Sequence, residues 1–85
     1  MTLYMRYANY SVASLQNGSN IASCDSGDQI IAGGFGGMNP NVFVRSSTPV
    51  FDPAATVWSW SVDVYNNGGL TTLVFITAVC ADIAP

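Results

Sequence analysis

The sequence predicts an all-β domain, folded as a small antiparallel β-sandwich or flattened barrel of about six to seven strands. Apolar and polar residues alternate along several runs, and an alternation of two is the period of a β-strand. No window shows the three- and four-residue apolar spacing of an amphipathic helix, and the strong helix formers Glu and Lys are absent. The length of 85 residues predicts a single domain over residues 1–85.

The first predicted strand covers residues 3–12 and is apolar on both faces. Two tyrosines share one face, while Leu3, Met5 and Tyr7 share the other. Strands that are apolar on both faces are usually covered on both faces. We therefore expect the N-terminal segment, residues 1–15, to act as a strand or arm that is sandwiched between subunits.

Three shorter strands are predicted next, at residues 20–24, 29–35 and 42–46. Turn chemistry rich in Gly, Asn, Asp and Pro separates them, at residues 16–19, 25–28, 36–40 and 48–53. The glycine-rich stretch 33–37 lacks the Lys-Ser/Thr pair and the following helix of a phosphate-binding loop. It predicts instead a bulged strand where another backbone passes close.

The last two strands are predicted at residues 57–65 and 71–81. In the first of them Trp58 and Trp60 share a face with two valines, while Ser and Asp side chains share the other face. This pattern predicts a half-buried strand with both tryptophans in the core. The intervening residues 66–69 are Asn and Gly, which tolerate the positive φ of hairpin turns, so we expect the two strands to pair as a hairpin.

Cys24 and Cys80 lie in two different predicted strands. Joining them would close a loop over most of the chain and contribute about 4 kcal/mol to stability. The alternative is a pair of free, buried cysteines in a cytosolic product. Two thiols without histidine are too few for a structural zinc, and Asp25 and Asp28 are expected to hydrogen-bond their own turn rather than to hold calcium. We expect no metal and no cofactor.

The composition argues against several function classes. A net charge of −3 with two basic residues is unsuited to nucleic acid, because phosphate binding needs several Lys or Arg side chains. The longest apolar stretch, near residues 73–81, is far shorter than the roughly 20 residues of a spanning helix, so no membrane partner is expected. The chain has no His, Lys or Glu to act as a general base, which predicts a protein that is not an enzyme.

Six short motifs are spread over about two thirds of the chain, from Cys24 to Ala81: Cys24-Asp25-Ser26-Gly27, Gly33-Gly34, Ser46-Ser47-Thr48-Pro49, Trp60-Ser61-Val62, Asn66 and Ala78-Val79-Cys80-Ala81. In this order they resemble a small β-rich domain found at the ends of phage fibres and bacterial surface proteins. The resemblance implies the same β-rich fold and a pairing of the two cysteines. The N-terminus also lacks the basic start and long apolar run of a secretory leader, so we expect synthesis in a host cytoplasm without a signal peptide.

The first functional hypothesis is a phage virion structural protein, a capsid decoration or cement protein that braces capsomers as a small homo-oligomer. Its expected location is the virion, and its expected partner is the major capsid protein or another virion protein. Low charge and apolar strands suit broad neutral contacts with many identical sites. Exposed Tyr and Arg are common interface anchors, so the residues predicted to contact a subunit or partner are Tyr4, Arg6, Tyr10 and Arg45.

The alternative hypothesis is a glycan-binding module or receptor-binding fibre tip. An aromatic ring can stack on the apolar face of a pyranose while neutral polar side chains bind its hydroxyl groups. The residues that would form such a site are Trp58, Tyr65, Asn66 and Asn67. This hypothesis needs an aromatic face that is open to solvent.

Overall fold

The computed structural model describes residues 2–37 and 40–83, and these residues form strands without any helix. The strands are β1 (Thr2–Val12), β2 (Asn17–Ser23), β3 (Gln29–Gly36), β4 (Val42–Asp52), β5 (Val57–Asn66) and β6 (Thr72–Asp82). The predicted all-β class is confirmed. No described segment forms a helix that is long and apolar enough to cross a membrane.

The six strands form two antiparallel sheets of three strands each, packed face to face as a sandwich rather than closed as a barrel. Sheet 1 has the order β1-β6-β3, and sheet 2 has the order β2-β5-β4. Only β4 and β5 are neighbours both along the chain and within a sheet. The molecule is flat and elongated, with principal extents of 47, 24 and 15 Å.

The predicted hairpin between residues 57–65 and 71–81 is wrong, because β5 and β6 are the central strands of opposite sheets. Each of these strands has one largely apolar face, and the two faces bury each other across the core when the chain arches between the sheets. Asn66 holds this arch. Its Nδ2 donates to the Val12 carbonyl at 3.0 Å and to the Leu70 carbonyl at 2.8 Å, and its Oδ1 accepts from the Gly68 amide at 2.9 Å.

Two of the predicted turns are also wrong. Residues 17–19 belong to β2, and the chain turns just before it, where Leu15 has a φ of 59° and its amide donates to the Asn66 carbonyl. Residues 48–52 belong to β4, which runs six residues beyond its predicted end to Asp52. Pro49 is tolerated there because β4 is an edge strand, so no ladder hydrogen bond is lost on its outer side. The predicted turn 36–40 includes residues 38 and 39, which lie outside the described residues.

The core lies between β5 and β6. It consists mainly of small β-branched and alanine side chains, with the buried set Val12, Ala22, Cys24, Ile30, Val42, Val62, Val64, Val74, Ile76, Ala78 and Cys80. Larger aromatic side chains close its margins, among them Tyr4, Tyr10, Trp58 and Trp60. Both tryptophans therefore lie on the core face of β5, as the alternation predicts, although each stays partly exposed.

The predicted disulfide is present. Cys24 follows β2 in one sheet and Cys80 lies in β6 of the other, with a Cα–Cα distance of 5.8 Å. The bond therefore ties the two sheets together at one end of the sandwich.

The bulge predicted in the glycine-rich stretch 33–37 is wrong, because Gly33 to Gly36 pair with β6 in regular register and the register shift lies earlier, between Ile30 and Ala32. The group that passes close to Gly33 is the Trp60 side chain rather than a backbone.

Candidate interaction surface

Alternation along β1, β6 and β3 places one set of side chains on the side of sheet 1 that faces away from the core. We call this set the sheet 1 outer face. It comprises Leu3, Met5, Tyr7, Asn9 and Ser11 of β1, Leu73, Phe75, Thr77, Val79 and Ala81 of β6, and Gln29, Ala32, Gly34 and Gly36 of β3. The set contains no ionisable side chain apart from the tyrosine phenol, so the surface is neutral.

Large apolar side chains of the sheet 1 outer face are open to solvent. Tyr7 is 71% exposed, Leu3 54%, Met5 51%, Leu73 48% and Phe75 44%. Apolar surface normally avoids water, and a contiguous exposed apolar patch on a soluble domain usually marks a contact site. The sheet 1 outer face is therefore the strongest candidate for binding among the described residues.

The relief of this face is uneven. The β1 side carries long side chains, and the phenol of Tyr7 lies along Met5 with a hydroxyl-to-sulfur distance of 3.0 Å. The β3 side carries glycine, and a Cβ built at Gly34 or at Gly36 would meet no heavy atom within 4 Å. A ridge along β1 thus faces a shallow trough at Gly34 and Gly36 of β3, with β6 between them.

Strand register fixes which residues of the ridge and the trough lie at the same level. Tyr7 pairs with Thr77 on one side of β6, and Gly34 pairs with Thr77 on the other side. Thr77 is the middle residue of β6, which spans Thr72–Asp82. The most exposed aromatic side chain of the face and the open glycine position therefore lie in one row across the centre of the sheet.

The outer face of sheet 2 is different, because it is rich in hydroxyl groups and carries a charge. Its central strand β5 presents Ser59, Ser61 and Asp63, and the Ser59 hydroxyl lies 2.7 Å from the Ser23 hydroxyl of β2. Phe43 on the edge strand β4 is the most exposed aromatic side chain there, at 56%. Ile21 of β2 and Val50 of β4 are exposed on the same face, whereas Ser59 is buried. This face therefore mixes apolar and polar side chains around one carboxylate.

Comparison of the chain with family models, with curated proteins and with solved structures gives no match. The geometry of its surfaces is therefore the basis for a functional proposal.

Three of the four predicted contact residues lie on the core-facing side of β1, at its margin. The Tyr4 hydroxyl donates to Asp28 at 2.5 Å and accepts from the Asp25 amide at 3.0 Å. Arg6 stacks over the Tyr4 ring at 4.5 Å and forms an ion pair with Asp25 at 3.0 Å. These contacts organise the end of the sandwich next to the disulfide.

Of the four residues, Tyr10 and Arg45 are separated from the cluster that Tyr4 and Arg6 form. The Tyr10 hydroxyl donates to the Val62 carbonyl at 2.9 Å and so bridges the two sheets. Arg45 is exposed at the register shift of β4 between Val44 and Ser46. The structure thus brings Tyr4 and Arg6 together but leaves Tyr10 and Arg45 apart from them.

Burial and nearby negative charge raise the pKa of the two tyrosines on the core-facing side of β1, Tyr4 and Tyr10. Partial burial, with the hydrogen bond to Asp28, raises the pKa of Tyr4 above its ordinary value. Burial also raises the pKa of Tyr10, and the negative charge of Asp63 adds to the effect. Both phenols are therefore held in the protonated form as structural hydrogen-bond donors.

The predicted glycan-contact residues do not share one surface. Trp58 lies on the core face of β5 and packs against Phe51 with its ring tilted by 44° and 4.9 Å between ring centroids, whereas Tyr65 lies on the opposite face. Asn66 is fully buried, with its amide engaged in the arch, and Asn67 is exposed beside it. The described residues form no enclosed cavity in which these side chains converge.

The sequence of β6 contains a pattern, unused in the prediction of contact residues, that indicates an exposed apolar face on sheet 1. Along residues 72–82 both alternating sets are largely apolar, with Val74 and Ile76 in one set and Leu73 and Phe75 in the other. Only one set is needed for the core of a two-layer sandwich. The second set therefore points to another surface that covers it.

Proposed function

We propose that this chain is a non-enzymatic structural protein of a virion, a decoration or cement protein that attaches by laying the sheet 1 outer face against neighbouring protein subunits. The observation that carries the proposal is the exposure of Tyr7, Leu73 and Phe75 on a neutral, largely apolar sheet face. A partner that covers this face would gain the free energy of apolar burial without desolvating any charge.

The size of the face supports a contact role. Strands advance about 3.4 Å per residue and lie about 4.8 Å apart, so three strands of this length cover on the order of 500 Å². Single patches of this size on monomeric proteins are often functional. A partner that buried the whole face would reach the low end of specific interface sizes, about 1,000 Å² in total.

The placement of the polar groups supports a structural role as well. In the described part of the chain, every buried side-chain nitrogen or oxygen has a hydrogen-bond partner. The aspartates Asp25 and Asp28 are engaged with Arg6, Tyr4 and the Ile83 amide. Side chains that are occupied in this way stabilise the sandwich, while the apolar outer face is left for contact.

Binding to particles tests the proposal. Particles are assembled from the virion proteins encoded with this chain but without the chain itself, then mixed with the purified chain and sedimented. We expect the chain to sediment in a fixed, saturable number per particle. Tyr7→Asp should abolish this binding, because it places a carboxylate on the apolar face.

Phe43→Asp is the matched control. Phe43 is also an exposed aromatic side chain on an edge strand, but it lies on the outer face of sheet 2. It should bind particles as well as the unchanged chain does. Failure of the unchanged chain to sediment with particles, or equal binding by Tyr7→Asp, would contradict the proposal.

A further inference from the structure

We propose that a second copy of the chain covers the sheet 1 outer face, in a face-to-face dimer whose two-fold axis runs parallel to β6. This inference rests on the proposed use of that face as the contact surface and names its occupant in the free chain. A virion subunit that covers the same face in a particle would take the place of the second copy.

Charge favours self-pairing of this face over self-pairing of sheet 2. The sheet 1 outer face carries no carboxylate or basic group, so two copies can meet there without repulsion. Sheet 2 carries Asp63 on its central strand and the exposed Arg45 at the register shift of β4 beside it. Stacking two such faces would desolvate these charges, which is unfavourable.

Area is sufficient for a weak, specific dimer. Two outer faces of about 500 Å² each would bury about 1,000 Å² in total, which is near the threshold for a specific interface. Sheets that pack face to face lie about 10 Å apart with interdigitated side chains. The dimer would thus extend the sandwich from two sheet layers to four.

Shape determines the direction of the axis. A two-fold axis parallel to the strands places β1 of one copy over β3 of the other, so the ridge of each copy enters the glycine trough of its partner. An axis perpendicular to the strands would instead place β1 over β1 and β3 over β3. Ridge would then clash with ridge, and the two troughs would leave an empty space, which costs packing energy.

Register gives the dimer a specific centre. With the parallel axis, residues at one level stay at one level, so Tyr7 of each copy lies over Gly34 of the other. Thr77 of one copy lies over Thr77 of the other, where their hydroxyl groups can pair. Packed sheets cross at about 30°, so side chains match best at the middle of the strands, and this row is at the middle.

Sedimentation equilibrium of the full chain, from about 1 µM to about 1 mM, tests the inference. We expect a reversible monomer–dimer equilibrium. Gly34→Leu fills the trough, and its Cβ would meet no heavy atom of the single chain within 4 Å. It should raise the dimer dissociation constant about tenfold or more, as overpacking of a close interface does.

Gly69→Leu is the matched control, since a Cβ at Gly69 also meets nothing within 4 Å but lies in the arch between β5 and β6. It should dimerise normally. Adding Tyr7→Ala to Gly34→Leu should recover part of the lost affinity, because the shortened ridge makes room for the new side chain. Circular dichroism melts of each variant show that the fold is kept, and Tyr7→Asp on the edge strand provides a second disrupting variant.

A monomer over the whole concentration range, or a dimer that Gly34→Leu and Tyr7→Asp leave unchanged, would overturn the inference. The particle assay separates its failure from that of the proposed function. A monomeric chain that still sediments with particles through Tyr7 overturns only the dimer. A dimer that Gly34→Leu weakens, but that binds no particle, overturns only the virion role.

Discussion

The ring of Trp60 lies directly against Gly33, so closely that a Cβ built at Gly33 would come within 2.0 Å of Trp60 Cδ2. The ring is held in place by a hydrogen bond of 2.8 Å from its Nε1 to the Ser47 hydroxyl. Trp60 belongs to sheet 2 and Gly33 to sheet 1, so this contact sets how near the two sheets approach at that point.

Gly33→Ala should therefore destabilise the fold. The added methyl group would have to push the Trp60 ring away from its hydrogen bond, and overpacking of this kind typically costs about 1–3 kcal/mol. Urea titration monitored by tryptophan fluorescence measures the effect. Gly36→Ala in the same strand meets open space and should change the free energy of unfolding by only about 0.5 kcal/mol or less. Equal effects of the two variants would contradict the steric argument.

Reduction of the Cys24–Cys80 bond should cost about 4 kcal/mol, because it releases a long loop in the unfolded chain. The two residues are 56 apart in sequence, and the bond joins opposite sheets. Urea titrations with and without reductant compare the midpoints, with free thiols counted after each run. A midpoint that does not move although both thiols are free would show that the sandwich does not depend on the bond.

Tyr10→Phe tests the role of the phenol that bridges the two sheets. The variant loses the hydrogen bond to the Val62 carbonyl and should be less stable by about 1 kcal/mol at neutral pH. Thermal melts of the two proteins measure the difference. An unchanged melting temperature would mean that the hydrogen bond from Tyr10 to the Val62 carbonyl does not contribute to stability.

Alkaline pH should destabilise the native chain through the same residue. Burial raises the pKa of Tyr10 above 10, so the folded state keeps its proton when the unfolded state has begun to lose it. The stabilising contribution is complete below pH 10 and is lost as the pH rises through the higher folded value. We expect a steeper fall in the free energy of unfolding above about pH 10 for the native chain than for Tyr10→Phe. Parallel curves would contradict this assignment.

Asn66→Ala should destabilise the arch between the sheets by about 2 kcal/mol, because it leaves buried carbonyl and amide groups without a partner. Asn67→Ala is the matched control, since the Asn67 side chain is exposed beside it. Denaturant titration of both variants measures the difference. If both asparagines behave alike, the side chain of Asn66 does not hold the arch.

Much of the fold could be predicted because alternation reports directly on strands. The positions of β1, β3, β5 and β6 follow from it to within a residue or two, and the cysteines pair as predicted. The pairing of β5 was not predictable in the same way. Residues 66–69 suit a hairpin and an arch equally well by composition, and only the buried position of Asn66 distinguishes the two.

The contact surface was harder to predict, because the type of a side chain does not reveal whether it points into the core or into solvent. The sequence predicts Tyr4, Arg6 and Tyr10 as exposed anchors, and that role remains a prediction. The same phenol and guanidinium groups also make good internal hydrogen bonds, and in this fold they make them across the margin of the core. Which side chains of β1 face the core depends on its pairing with β6, the strand that is most distant from it along the chain.

The pairing of β1 with β6 also has a consequence for folding kinetics. The first strand cannot find its only neighbour in the sheet until the chain has closed its longest loop, and β4–β5 is the only pair that can form locally. Topologies dominated by such distant pairings fold slowly, on the order of milliseconds to seconds. Until β6 docks, the partly folded chain exposes unpaired strand edges and apolar residues, which can associate with other chains.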